Sequence, residues 1–224
     1  MPALSVPVKM AKERVQATTN QITRIQVRMA SVEILVGGPY GNHPYGHTAL
    51  RVTTTDSDNV FDYGRYGRTW GLGDSEGDGI LKIWNNFNAY IADENSYGRV
   101  TIGFVYETSE ENAKKILQFF ERKTAGKRLI SEDRTKKKLK IEDYYALGPN
   151  CTTLSVDGIK TIFPDIDRDW STFQKGRGLG MMEKGAITAR GWPKYIFMPA
   201  DLQAMLESPS AKKAKKVNKY GNSR

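Results

Sequence analysis

The chain has 224 residues and a mass of 25.2 kDa, a length that suits one domain with appendages. Hydrophobic residues make up 39% and aromatics 10%, enough to build a sizeable core, and no apolar run approaches the roughly 18–20 residues of a membrane span. One cysteine and two histidines exclude an internal disulfide framework, a multi-cysteine zinc site and a His-rich metal centre.

From the N-terminus, residues 1–30 read as a polar extension. Val15, Ile22, Ile25 and Met29 sit near helical spacing, a weak signal. Lys9, Lys12, Glu13 and Arg14 interrupt the first twenty residues and no apolar h-region follows, so no secretory signal is expected. Residues 32–36 (VEILV) predict a buried strand ending at Gly37-Gly38-Pro39. Residues 47–55 and 60–63 predict a hairpin around the turn cluster Asp56-Ser57-Asp58-Asn59. Residues 64–79 are dense in glycine and predict a long mobile loop; 80–91 resume an apolar pattern, and 99–106 (RVTIGFVY) predict a strong strand. Thr108-Ser109-Glu110-Glu111 carries the signature of a helix start, followed by an amphipathic face at Ala113, Ile116, Leu117 and Phe120.

Residues 125–143 are charged and read as loop, including the run from Arg134 to Lys140. Gly148-Pro149 breaks the chain before an apolar run from Cys151 to Ile162. A second glycine-rich loop is expected over 176–185, a late strand over 195–198 and a short helix after Pro199-Ala200-Asp201. Strands followed by helices without βαβ repetition predict an α+β domain over 31–206. Of the net charge of +9, +6 lies in residues 211–224, which hold five lysines, Arg224 and no acid. Residues 207–224 therefore read as a basic disordered tail, a solvated end or an anchor for a polyanion.

Three residues carry chemical interest. Cys151 opens a predicted helix, where the positive end of the macrodipole favours the nucleophilic thiolate. His47 begins a strand. Asp62 lies in the next strand among Val60, Phe61 and Tyr63, where a buried carboxylate needs a partner that a neighbouring histidine supplies. Together they fit the logic of a cysteine–histidine–acid triad. Asp74, Glu76, Asp78 and Gly79 match the early positions of a calcium loop, but position twelve is Asn85, so the acids read as a solvated loop tip. His43 and His47 are separated by Pro44 and Gly46, which argues against a helical two-histidine metal site, and neither glycine-rich segment ends as a phosphate loop does. No cofactor and no metal are expected.

The phrases Gly46-His47-Thr48-Ala49-Leu50-Arg51-Val52, Phe61-Asp62-Tyr63-Gly64-Arg65-Tyr66 and Tyr145-Ala146-Leu147-Gly148-Pro149-Asn150-Cys151-Thr152 resemble the circularly permuted branch of the NlpC-type papain-like cysteine peptidases. In that branch the histidine strand precedes the cysteine helix. Asn150 stands where cell-wall members have an acid, and Thr152 where they have Ser. The resemblance implies a papain-like antiparallel sheet with packed helices and the nucleophile at a helix N-terminus. It implies Cys151 as nucleophile, His47 as base and Asp62 as orienting residue. Tyr145, or its neighbour Tyr144, would aid the oxyanion hole with the Cys151 backbone N–H.

The branch includes effectors delivered by type VI secretion. By resemblance, the chain is expected to be cytoplasmic before export without a cleaved signal, and to cleave peptide amides of peptidoglycan in the target periplasm as an antibacterial toxin. An immunity protein and a secretion-apparatus component would be its partners, with no stable nucleic-acid complex. Two other readings stay open: a lipid-directed acyltransferase or thioesterase on the same fold, and a non-catalytic polyanion-binding protein.

Overall fold

The computed structural model describes residues 29–41, 43–71 and 75–221. The N-terminal extension before Met29, with its weak helical spacing, lies outside the described residues, as do Asp74 and the last three positions. The chain is α+β: an eight-stranded antiparallel sheet and six helices among the described residues. In chain order these are β1 (Met29–Gly37), β2 (His47–Thr53), β3 (Asp58–Trp70), β4 (Glu76–Trp84), α1 (Phe87–Ser96), β5 (Thr101–Ser109), α2 (Glu110–Thr124), β6 (Arg128–Glu132), β7 (Lys136–Tyr145), α3 (Cys151–Lys160), α4 (Trp170–Phe173), α5 (Met181–Arg190), α6 (Pro199–Leu206) and β8 (Lys216–Tyr220). The sheet order is β6-β7-β4-β3-β2-β1-β5-β8, which puts β2 and β3 near its middle. No helix among the described residues is long and apolar enough to cross a membrane.

Strand alternation divides the apolar residues between two faces. On one face Val32, Ile34, Leu50, Val52, Phe61 and Leu81 meet Ala113, Ile116 and Phe120 of α2, Leu154 and Ile159 of α3, and Leu202 of α6. The Phe61 and Phe120 rings stack there with centroids 3.8 Å apart. On the other face Leu35, Ala49, Val60 and Trp84 receive Tyr90 of α1. Helix α2 begins as its sequence predicts: the Ser109 side chain accepts the Asn112 N–H at 3.2 Å, and Glu110 and Glu111 sit in the first turn. Such a cap contributes about 1 kcal/mol.

Five sequence expectations are corrected. Residues 176–185 are loop only as far as Gly180, and Met181 opens α5. Residues 64–79 form no long loop; β3 runs on to Trp70 and β4 starts at Glu76. Glycine serves close approach in this hairpin: a Cβ at Gly79 would strike the Glu142 carbonyl oxygen and the Tyr63 hydroxyl. Residues 125–143 form β6 and most of β7 rather than a charged loop. Only Leu139 and Ile141 of β7 reach the core, too few to raise an apolar pattern above the lysines between them. Residues 195–198 pair with no named strand, although Ile196, Phe197 and Met198 are buried. The basic tail is not disordered as a whole. Within it, β8 pairs with β5, and Asn218 and Tyr220 donate to the buried Glu33 carboxylate at 3.0 and 2.8 Å. Two polar side chains anchoring to one acid leave no hydropathy signal.

Candidate active site

Helix α3 is started by Asn150. Its Oδ1 accepts the Thr153 N–H at 3.0 Å, and Thr153 Oγ1 accepts the Asn150 N–H at 2.8 Å, closing a capping box. The Asn150 amide also donates to the Ala146 and Phe197 carbonyls at 2.8 and 3.1 Å. The N-cap is therefore held from three sides, and Cys151 follows as the first helical residue, buried. A hydrogen bond of 3.1 Å between the Thr48 and Thr152 hydroxyls ties α3 to β2.

His47 enters β2 directly after Gly46, whose φ is +73° and whose absent Cβ would lie 2.7 Å from the Gly37 carbonyl oxygen. Only glycine combines that conformation with that approach. The next strand brings Asp62 alongside, and His47 Nε2 lies 2.8 Å from Asp62 Oδ1. The remaining ring nitrogen, Nδ1, is left for the thiol, whose charge acts on the imidazole across the same cavity wall.

Asp62 is 1% exposed yet well partnered. Besides His47, the Tyr66 hydroxyl donates to Oδ1 at 2.7 Å, Trp84 Nε1 donates to Oδ2 at 3.2 Å, and Lys82 Nζ stands 3.7 Å away. Burial alone would raise this carboxyl, but the Lys82 ammonium, then His47 and Tyr66, hold it well below the usual carboxylate range. For His47, burial pushes the imidazole down. The thiolate charge of Cys151, then the hydrogen bond and charge of Asp62, overrule it and raise the ring to about 10. For Cys151, burial pushes the thiol up. The His47 charge, and hydrogen bonds from His47, Tyr144 and the Thr48 backbone N–H, bring it below its ordinary value. These directions agree: each charge favours the other, so the arrangement supports a thiolate–imidazolium pair beside an ionised Asp62.

Tyr144 and Tyr145 are separated by the strand's alternation. The Tyr144 hydroxyl donates toward the Cys151 sulfur at 3.6 Å. Burial, then the thiolate charge, raises its phenol well above the ordinary value, so it stays a neutral donor. Tyr145 is 38% exposed and contributes its backbone N–H to the Pro149 carbonyl at 3.0 Å. Of the two tyrosines that the sequence left in competition, the structure brings Tyr144 to the sulfur and leaves Tyr145 away from it.

Cys151, His47, Lys82, Tyr66 and Tyr144 open onto a cavity of about 490 Å³ whose further walls include Glu94, Arg99 and Phe197. Sequence reasoning found Cys151, His47 and Asp62 but missed Tyr66, Lys82 and Trp84. A signal for Lys82 was available: it is a lone lysine between Leu81 and Ile83, and it lies directly opposite Asp62 in register. Tyr66 had been assigned to a loop, which hid it.

No group of three or more His, Cys, Asp or Glu among the described residues is placed to hold a metal ion. His43 also borders the cavity, its ring 4.8 Å from that of Tyr40. The Asp78 carboxylate is taken by Lys140 and by Arg68, at 3.3 Å from the latter's Nε. Chemically, the arrangement offers a thiolate nucleophile, an imidazolium able to donate a proton, and two donors beside the sulfur, the Cys151 N–H and the Tyr144 hydroxyl. Comparisons with protein-family models, with curated proteins and with solved structures return no match.

Proposed function

We propose that this chain is a cysteine amidase or endopeptidase of permuted papain-like type, with Cys151 as nucleophile. One observation carries the reading: a buried thiol at the first turn of a capped helix shares a cavity with an imidazole whose Nε2 is 2.8 Å from a buried carboxylate. In the reaction so read, the Cys151 thiolate attacks the amide carbonyl, and the oxyanion takes hydrogen bonds from the Cys151 N–H and Tyr144. The His47 imidazolium protonates the departing amine as the C–N bond breaks, leaving an acyl thioester. Neutral His47 then takes a proton from water, whose oxygen attacks the thioester. The C–S bond then breaks and the acid product leaves, which restores the Cys151 thiolate beside the His47 imidazolium. Asp62 stays ionised and keeps the ring oriented.

The substrate reading rests on the resemblance of the three phrases around His47, Asp62 and Cys151: the stem peptides of peptidoglycan, cleaved by an antibacterial effector exported by type VI secretion and countered by an immunity protein. The test is mass spectrometry of purified peptidoglycan after incubation with wild type and with Cys151→Ala. New amine and carboxyl termini within stem peptides, formed by wild type alone, are expected. Unchanged muropeptides with both proteins would overturn the substrate.

A further inference from the structure

Strands β6, β7 and β4 bring cations together in a way that folding alone does not favour. Lys82 of β4 is directly opposite Lys138 of β7, and Lys140 of β7 is directly opposite Arg128 of β6. Residues directly opposite share a face, and like charges so placed destabilise a sheet. Lys136, Lys138 and Lys140 alternate onto that same face, about 7 Å apart. The opposite face of β7 carries Leu139 and Ile141 into the core under α2.

Some of these charges have partners. Lys82 faces Asp62, Lys140 is bonded to Asp78 and lies 3.5 Å from Asp143, and Lys136 stacks over the Trp84 ring at 3.7 Å. Lys138 and Arg128 have no carboxylate partner among the described residues, and β6 is exposed along its whole length. The strip is continuous with the cleft, because Lys82 at its inner end lines the cavity that holds Cys151.

We propose that this cationic strip docks the carboxylate-bearing polymer from which the cleft draws its peptide, so that a length of peptidoglycan beyond the cut lies across β4, β7 and β6. The inference rests on the amidase reading above. It names a surface that a short soluble peptide in the cleft does not reach. Charge complementarity selects the occupant: peptidoglycan stem peptides present repeated carboxylates, and the strip leads out of the site to Lys138 and Arg128, the two cations without a carboxylate partner among the described residues.

The experiment uses the full chain with Cys151→Ala, so that the polymer is bound and not cut, and measures co-sedimentation with insoluble purified peptidoglycan at low salt. Arg128→Gln with Lys138→Gln is expected to weaken binding roughly tenfold, the sum of two partly screened contacts. Amidating the peptidoglycan carboxyls with carbodiimide and ammonia is expected to weaken the parent to the same degree and to erase the difference between parent and variant. Arg128→Gln alone, on a fully exposed strand, is the second variant should the pair disturb folding, and it is expected to retain part of the loss. Equal binding by parent and variants, or undiminished binding to amidated peptidoglycan, would overturn the proposal. So would strip-dependent binding of single-stranded DNA without strip-dependent binding of peptidoglycan. Hydrolysis of a soluble stem peptide by the otherwise unaltered chain reports separately on the cleft. If it is absent while sedimentation still depends on the strip, the amidase reading falls and the docking surface stands.

Discussion

Asp62→Asn preserves the shape of the buried side chain and removes its charge, which makes it the sharpest probe of the His47 environment. The native carboxylate is 2.8 Å from His47 Nε2, and Lys82 opposes it from 3.7 Å. Coulomb's law at an effective dielectric of 20 sets a ceiling of about 6 kcal/mol for unit charges this close. A single neighbouring charge more commonly moves a pKa by about 1–3 units, each unit being about 1.4 kcal/mol. His47 stands raised from 6.5 to about 10 although burial lowers it, with the thiolate charge the larger support and Asp62 the next. Asp62 therefore supports the imidazolium on top of the larger support from the thiolate charge. The assay is carbon-13 NMR of ring-labelled histidine across the pH range, simplified by there being two histidines in the chain. In Asp62→Asn the His47 resonance is expected to titrate about 1–3 pH units lower than in wild type, and the alkaline limb of kcat/KM to move down with it. Lys82→Met removes the opposing cation and is expected to shift the titration upward. A His47 titration unmoved in Asp62→Asn, or moved downward in Lys82→Met, would refute the reasoning.

Further outcomes follow from the same geometry. Tyr144→Phe is expected to lower kcat by about 10²-fold, the scale of one lost oxyanion donor, whereas Tyr145→Phe is expected to stay near wild type in the same steady-state assay. Cys151→Ala and His47→Ala should each lower amide hydrolysis by at least about 10³-fold, and their combination should cost little more than either alone. The stability difference between wild type and Cys151→Ala, followed by denaturant titration, should depend on pH in a bell. The His47 contribution is full below 6.5 and is lost as pH rises toward about 10, while that of Cys151 is full above 9.0 and is lost as pH falls. Between 6.5 and 9.0 the two slopes cancel into a plateau, and a difference that rose or fell steadily across that interval would contradict the ion pair. Deleting residues 216–224 removes β8 and strips the buried Glu33 of two donors. Calorimetry should then show a loss of about 2–4 kcal/mol, with an unchanged melting temperature as the contrary result.

The sequence announces the pieces of the site that obey local rules. A Gly-Pro break, an Asn cap and a cysteine mark the start of α3, and Ser109 with two acids marks the start of α2. His47 and Asp62 are legible because a carboxylate inside an apolar strand has few ways to be accommodated. The supporting residues were hidden by long-range register. Lys82 meets Asp62 across β3 and β4, and Trp84 reaches the same carboxylate from two residues on. Neither contact is visible without knowing that 64–79 continues a hairpin. Tyr144 and Tyr145 are indistinguishable by type, and only the phase of β7, displaced by an irregularity beside Gly79 and Ile80, decides which of them turns toward the sulfur. The tail misled for a related reason: its charge is what composition reports, while Asn218 and Tyr220, two polar residues on one side of β8, are what hold it.

Among the described residues the sheet is open and ends in two border strands, β6 at one side and β8 at the other. Such borders invite a second chain to add on and are a common seed of aggregation. Here both are populated by charge: Arg128 and Glu132 on β6, Lys216 and Lys219 on β8. The like charges of two approaching β8 borders repel, and on β6 Arg128 and Glu132 flank the exposed Leu129 and Ile130. Like charge along the lysine-rich end opposes the approach of a second copy, whatever ligand the protein takes. Glutamine at 216 and 219 should therefore leave the fold intact while lowering the concentration at which the protein begins to associate.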